Sequence, residues 1–561
     1  MATTVCLSDM SRCRPASALS PRQEQGRWTL IPYETGEMSG TLVSALSFIQ
    51  APELSLPLGV SGWHSVYVGY WNPYFVYDEG CVVKFRLSGD PAFCRVREPE
   101  VCFSQTETSL QEVFYKHADV TGQDLVIGKV NGWAARKALV AYVRLVPLTD
   151  AQVAAIEEDR ARTQTRRVVA TIDGMFFWGN EYRTREHILE QVEWYRHSDV
   201  GKVLWAVSYG DTANYPSDVA AFWTDHSRAR LVQGAGSTPY MQGQKGAYDT
   251  FLDMVSSRGI VPQEVIAEYV HGMGLSFDIM FRLGIIGGIP PYRSEHGLVA
   301  RHPEYRQAMR DGTPVEKASY AFPEVRAFML SLIREAVGRF DVDGINLCFV
   351  RGPHFVAYEQ PVVDDFRRLY GGEAREVDPA DPRLHAVRAR HMGEFVRGAR
   401  RVLDDVGAQK GRRLTLSIWA WPNGQKVWCG ETPMAEGLDF RSWIEEGLMD
   451  SLICQEGVNP DDLACCKRHG CAFYLFPGYR EPRPTTPRTV ADGYQKGADG
   501  VAIWDIDPDN PQEWEWLRRA GHPEQMASWD SRTSECRSIP LTTVSGFDVA
   551  QGLQAAVYSG G

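Results

Sequence analysis

The rhythm of apolar and polar positions changes near residue 150. Before it, short runs that alternate or stay apolar (66–70, 81–87, 125–128 and 138–145) are separated by turn clusters such as Ser88-Gly89-Asp90-Pro91 and Asn131-Gly132. No long helical period interrupts them, so the pattern predicts an all-β sandwich over 26–148. After it, strand-like runs alternate with amphipathic helices, the signature of βαβ units. The runs are 168–173, 202–208, 274–281, 344–350, 413–419, 450–454, 471–476 and 500–506, with helices at 184–195, 247–257, 323–340, 385–406 and 439–446 between them. Eight such runs predict one closed (β/α)8 barrel, a TIM barrel, over 168–520. A doubly wound open sheet is the rival, weakened because no glycine-rich phosphate turn follows the first run. The remaining pieces are a polar lead-in at 1–25 expected to be disordered, a charged linker helix at 149–167, and a tail at 521–561 expected to pack on barrel or sandwich.

The most informative stretch is 342–366. A Gly-flanked apolar run from Ile345 to Val350 is too short for a helix and suits a strand buried on both faces. Arg351, Gly352 and Pro353 end it, a loop carries His354, Tyr358 and Glu359, and Pro361 opens a helix. Chemistry is thus expected at the carboxyl end of a parallel strand, where such barrels keep active sites.

Composition narrows the choice of partner. The net charge of −12 argues against nucleic acid or an anionic membrane surface. No apolar run is long enough for a membrane span, and the first 35 residues lack a signal-peptide core, so a cytoplasmic location is expected. Cys348, Cys454 and Cys471 lie in apolar runs that suit buried thiols. Cys465, Cys466 and Cys471 are too sparse for zinc by spacing, so neither metal nor organic cofactor is expected. Self-association is left open.

The strand ends carry Asp173 and Trp178; Tyr209; Asp278 and Arg282; Arg351, His354, Tyr358 and Glu359; Trp419 and Trp421; Glu456; Tyr479; and Trp504 with Asp505. Any one strand-end carboxylate is more often a helix cap or ion-pair partner than a catalyst. Together, many carboxylates and aromatics at one rim suit glycosidic chemistry, in which two carboxyl groups flank the bond and aromatic faces bind sugar rings. Glu456 and Glu359 are the leading pair, with Asp278, Asp173 and Asp505 in reserve. Glu456, after an apolar strand, is expected to be the desolvated acid; Glu359, near arginines and a helix start, the ionised partner.

Three segments, His302-Pro-Glu-Tyr-Arg, Ser319-Tyr-Ala-Phe-Pro-Glu-Val-Arg and Val342-Asp-Gly-Ile-Asn-Leu-Cys-Phe-Val-Arg, resemble the glycosyl-hydrolase-like (β/α)8 proteins of bacteria. These are distantly related to α-amylase-type and family 10-like barrels, and the similar stretch covers roughly 168–507. The resemblance implies a glycoside hydrolase acting on a carbohydrate, and it makes the N-terminal sandwich look like a carbohydrate-binding module. Many such relatives place an acidic residue where this chain has Cys348. That departure keeps a non-catalytic sugar-binding barrel open, and Arg282, Arg351 and His354 keep open a lyase or isomerase acting on an acidic sugar.

Overall fold

The structure, a computed structural model, describes residues 3–73, 81–97, 108–131, 136–174, 183–222, 249–287, 297–426, 430–478, 486–504, 508–529 and 536–549. Eight parallel strands close into a barrel: β1 (Val168–Ile172), β2 (Val200–Tyr209), β3 (Ser276–Arg282), β4 (Gly344–Cys348), β5 (Thr415–Ala420), β6 (Ser451–Gln455), β7 (Ala472–Phe476) and β8 (Gly500–Trp504). Closure is made by β1, which pairs with β2 on one side and β8 on the other. All eight expected runs are strands, because both faces of each are buried. Val168, Ala170, Phe277, Ile279, Ile345 and Leu347 pack outward toward the helices. Their alternates Val169, Leu204, Met280, Cys348, Ile453 and Ala502 form a separate apolar plug inside. Such strands read as continuous apolar runs.

The helices between strands follow their caps. Proline opens the helices Pro323–Arg339 and Pro382–Lys410 and stands in the first turn of Gln360–Tyr370. The linker is a helix, Asp150–Ala161, with a complete capping box between Thr149 and Gln152.

At the amino-terminal end of the strands the barrel is closed by ion pairs. Lys202 Nζ lies 2.6 Å from Asp278 Oδ2, whose side chain has no exposure. Asp343, just before β4, accepts hydrogen bonds from the His271 ring (3.0 Å) and the Phe277 N–H (2.8 Å).

The N-terminal region has two sheets. The smaller orders its strands Leu54–Pro57, Asp124–Lys129, Val82–Leu87 and Cys94–Arg97. The larger is built on Trp28–Thr35, Ser39–Ala45, Ala138–Pro147, Trp63–Trp71 and Ser109–Asp119, and a late strand completes it. The first half of Arg537–Val544 pairs with Ser109–Asp119 and its second half with Trp28–Thr35. The lead-in, expected to be disordered, is instead ordered. Val5–Leu7 pairs with Ala138–Pro147, and Met10 and Cys13 are buried. Its few apolar residues, spaced among polar ones, pin it to the sheet.

Candidate active site

At the carboxyl end of the strands, side chains from all eight meet in one contact chain centred on Trp504. Its ring sits edge-on to Trp419, with centroids 4.7 Å apart, and Trp419 in turn meets Phe476 at 5.3 Å. Trp419 Nε1 donates to Gln455 Oε1 at 2.9 Å. The Arg282 and Arg351 guanidiniums both lie over the Trp504 ring, at 5.1 and 5.4 Å. Arg282 also covers the Tyr209 ring at 4.9 Å and forms an ion pair with Asp173, whose carbonyl accepts the Tyr209 hydroxyl. Cation–π contacts of this kind are worth about 0.5–2 kcal/mol each, more as water is excluded. Two glycines allow the arginines to stand side by side. A Cβ on Gly284 would come within 2.7 Å of Gly352 Cα, so only glycine lets the loops after β3 and β4 touch.

His354 adds a second unit. Its Nδ1 hydrogen-bonds Glu436 Oε1. The Glu436 side chain is 1% exposed and the imidazole 34%, so a sealed carboxylate orients a ring that water reaches. Glu436 comes from the loop after β5, whose Gly- and Pro-rich sequence carries no periodic signal. No local sequence signal marks it, because its partner lies 82 positions away.

The expected residues divide into groups. Asp173, Tyr209, Arg282, Arg351, Trp419 and Trp504 are brought together, and Trp421 packs in the same interior cluster. Trp419 is fully buried, however, and its ring edge and N–H are engaged by neighbours, so it serves as packing beneath the site. Glu456 immediately follows β6, in a left-handed backbone conformation (φ 52°), with an exposed side chain. The desolvation expected for it is therefore missing. Trp178, Tyr479 and Asp505 lie outside the described residues.

Three expectations need correction. Asp278 lies near the start of β3 and is held by Lys202 at the opposite end of the barrel. A position early in its strand already put it below the rim. Tyr358 and Glu359 turn away from the mouth. The Arg388 guanidinium, on the helix Pro382–Lys410, covers the Tyr358 ring at 4.8 Å. Both Glu359 oxygens accept the Ala357 N–H, at 3.0 and 2.9 Å, and the residue is 1% exposed. Burial pushes its carboxyl up to about 7, against the opposing pull of backbone N–H groups and Arg388. Glu359 is thus the desolvated carboxyl and Glu456 the solvated one, the reverse of the expected roles. Cys348 lies inside the plug, and burial pushes its thiol up to about 12, which leaves it inert as a nucleophile.

No protein-family model matches the chain, and no curated protein matches it at a significant level. Solved structures similar to it include glycoside hydrolases. They include an α-L-fucosidase isoenzyme 2 from Paenibacillus thiaminolyticus (13% identity, TM-score 0.40, covering 65% of this chain and 50% of that one). The PgaB glycoside hydrolase domain from Bordetella bronchiseptica is 12% identical, at TM-score 0.38, over 64% of this chain and 97% of its own. The catalytic domain of a β-amylase from Paenibacillus polymyxa is 11% identical, at TM-score 0.39, over 64% and 97%. The chain spans half the length of the fucosidase. Likenesses this distant leave the barrel assignment to the closed strand order and the chemistry to the site.

Proposed function

We propose that the chain is a carbohydrate-active enzyme that hydrolyses a glycosidic bond at the carboxyl-end mouth of its barrel. The observation behind this reading is the eight-strand contact chain around Trp504, which collects charged side chains above an apolar plug. We assign Glu456 and Asp173 as the two carboxyl groups of the reaction, because both follow barrel strands at the mouth. Glu456 stands at the end of β6 and Asp173 just past β1, with Arg282 balancing the Asp173 charge. One carboxyl would protonate the leaving oxygen and the other attack or activate water. Reducing-sugar release from a panel of neutral and acidic glycans tests the reading; wild type active and Glu456→Gln slowed by roughly 10²–10⁴-fold is the expected result.

A second reading has its own support. Arg282 and Arg351 over one ring, with the Glu436-backed His354 nearby in sequence, suit the carboxylate of an acidic sugar. A lyase or isomerase would then be expected. A product absorbing in the ultraviolet from a uronate polymer, without water-dependent cleavage, would favour a lyase over hydrolysis.

A further inference from the structure

Three ligand-bearing side chains of different chemistry converge on the outer wall of the barrel. Glu445 ends the helix Phe440–Glu445 that leads into β6; Cys465 and His469 lie one turn apart on the helix Pro460–Arg468 and its cap, which lead into β7. One ligand atom from each lies within 4.8 Å of the other two. Helices that lead into strands end at the amino-terminal side of the barrel, so this cluster is on the face opposite the mouth.

Several of the neighbouring charges are already paired. Arg441 holds Asp462 at 2.6 Å, Lys467 holds Asp499 at 2.6 Å, and Glu446 takes Arg397 at 2.6 Å. Among the described residues, Glu445 and His469 form no such pair. Both are exposed, while Cys465 is buried beneath them, its Sγ 4.0 Å from the Arg441 carbonyl. Two helix carboxyl ends, with their partial negative charge, point the same way.

We infer that Glu445, Cys465 and His469 bind a divalent cation of the zinc class. Thiolate, imidazole and carboxylate are the donors zinc takes, and three protein ligands leave a fourth position for water. Tetrahedral bonds to such donors put ligand atoms about 3.3–3.8 Å apart. The exposed Glu445 and His469 side chains reach that spacing by rotating. The ion would clamp the helix before β6 to the helix before β7, remote from the reaction. Spacing along the chain hides the site, because the third ligand comes from a different helix.

Cobalt(II) chloride, added to the full chain, reads the site directly. Wild type should develop a thiolate-to-cobalt charge-transfer band that zinc removes. Cys465→Ser should abolish the band, while Cys6→Ser, an exposed thiol elsewhere, should keep it. His469→Ala and Glu445→Gln, both at exposed positions, should each raise the cobalt Kd by about tenfold or more. They also decide the matter if Cys465→Ser does not fold. Absence of the band in wild type, its survival in Cys465→Ser, or an unchanged Kd in both exposed variants would overturn the inference.

Discussion

The two ends of the barrel use similar residue types for opposite purposes. At the amino-terminal end, Lys202, Asp278, Asp343 and His271 are committed to one another, and Asp278 has no exposure at all. At the carboxyl end, charge is also paired, Arg282 with Asp173 and His354 with Glu436, but one member of the second pair stays open to water. A closed pair contributes little beyond hiding its own desolvation cost, whereas an open one can exchange a proton or a ligand. Distance along the strand therefore separates structure from chemistry better than residue type does.

The sharpest break of this comparison is at the mouth. Glu456→Gln should lower turnover on an unactivated glycoside by roughly 10²–10⁴-fold with unchanged melting, and a good leaving group should recover part of the loss if Glu456 is the proton donor. Steady-state rates on paired substrates check it; near wild-type rates on both would move the assignment to Asp173 or Asp505.

At the closed end the expected loss is in stability. Lys202→Met leaves Asp278 buried without its cation and should cost about 3–5 kcal/mol in denaturant unfolding. Adding Asp278→Leu should restore much of it. If Lys202→Met instead kept stability and lost turnover per folded molecule, the division between the ends would be wrong.

Glu359 gives a pH signature. Its folded-state value, about 7, lies above the ordinary 4.5, so the folded chain holds this proton more tightly. Its contribution is intact below about 4.5 and is lost as pH rises through 7, an effect of about 3 kcal/mol. Glu359→Gln should flatten the stability profile across that window. A profile unchanged by the substitution would show that Glu359 does not titrate there.

The smallest effect is expected at Cys348. Cys348→Ala should cost roughly 1–2 kcal/mol through lost packing and leave turnover per folded molecule intact. Thiol reagents should modify it only as fast as the chain unfolds.

The barrel was legible because two-sided burial writes each strand as an unbroken apolar run with a turn at its end. The site was less so. Rim membership of Arg282 and Arg351 follows from their place just past such runs. Asp278 lies four residues before Arg282 on the same strand, and that depth puts it at the opposite end of the barrel. Glu359 has the sequence signature of a rim acid, standing just before a helix start, but nothing local reveals that its carboxylate folds back onto Ala357. The strand Arg537–Val544 carries a period-two signal, with Ile539 and Leu541 buried between exposed neighbours, that the turn-poor tail obscured.

That strand also sets a timetable. Gln111 donates to Ser538 at 2.9 Å across 427 positions of chain. At a synthesis rate of about 5–20 residues per second, the edge of Ser109–Asp119 waits on the order of tens of seconds for its partner. Through that interval a row of unpaired backbone groups faces the cell, a template for the wrong strand. A region made before the barrel is therefore finished only after it, and the barrel is made in the meantime.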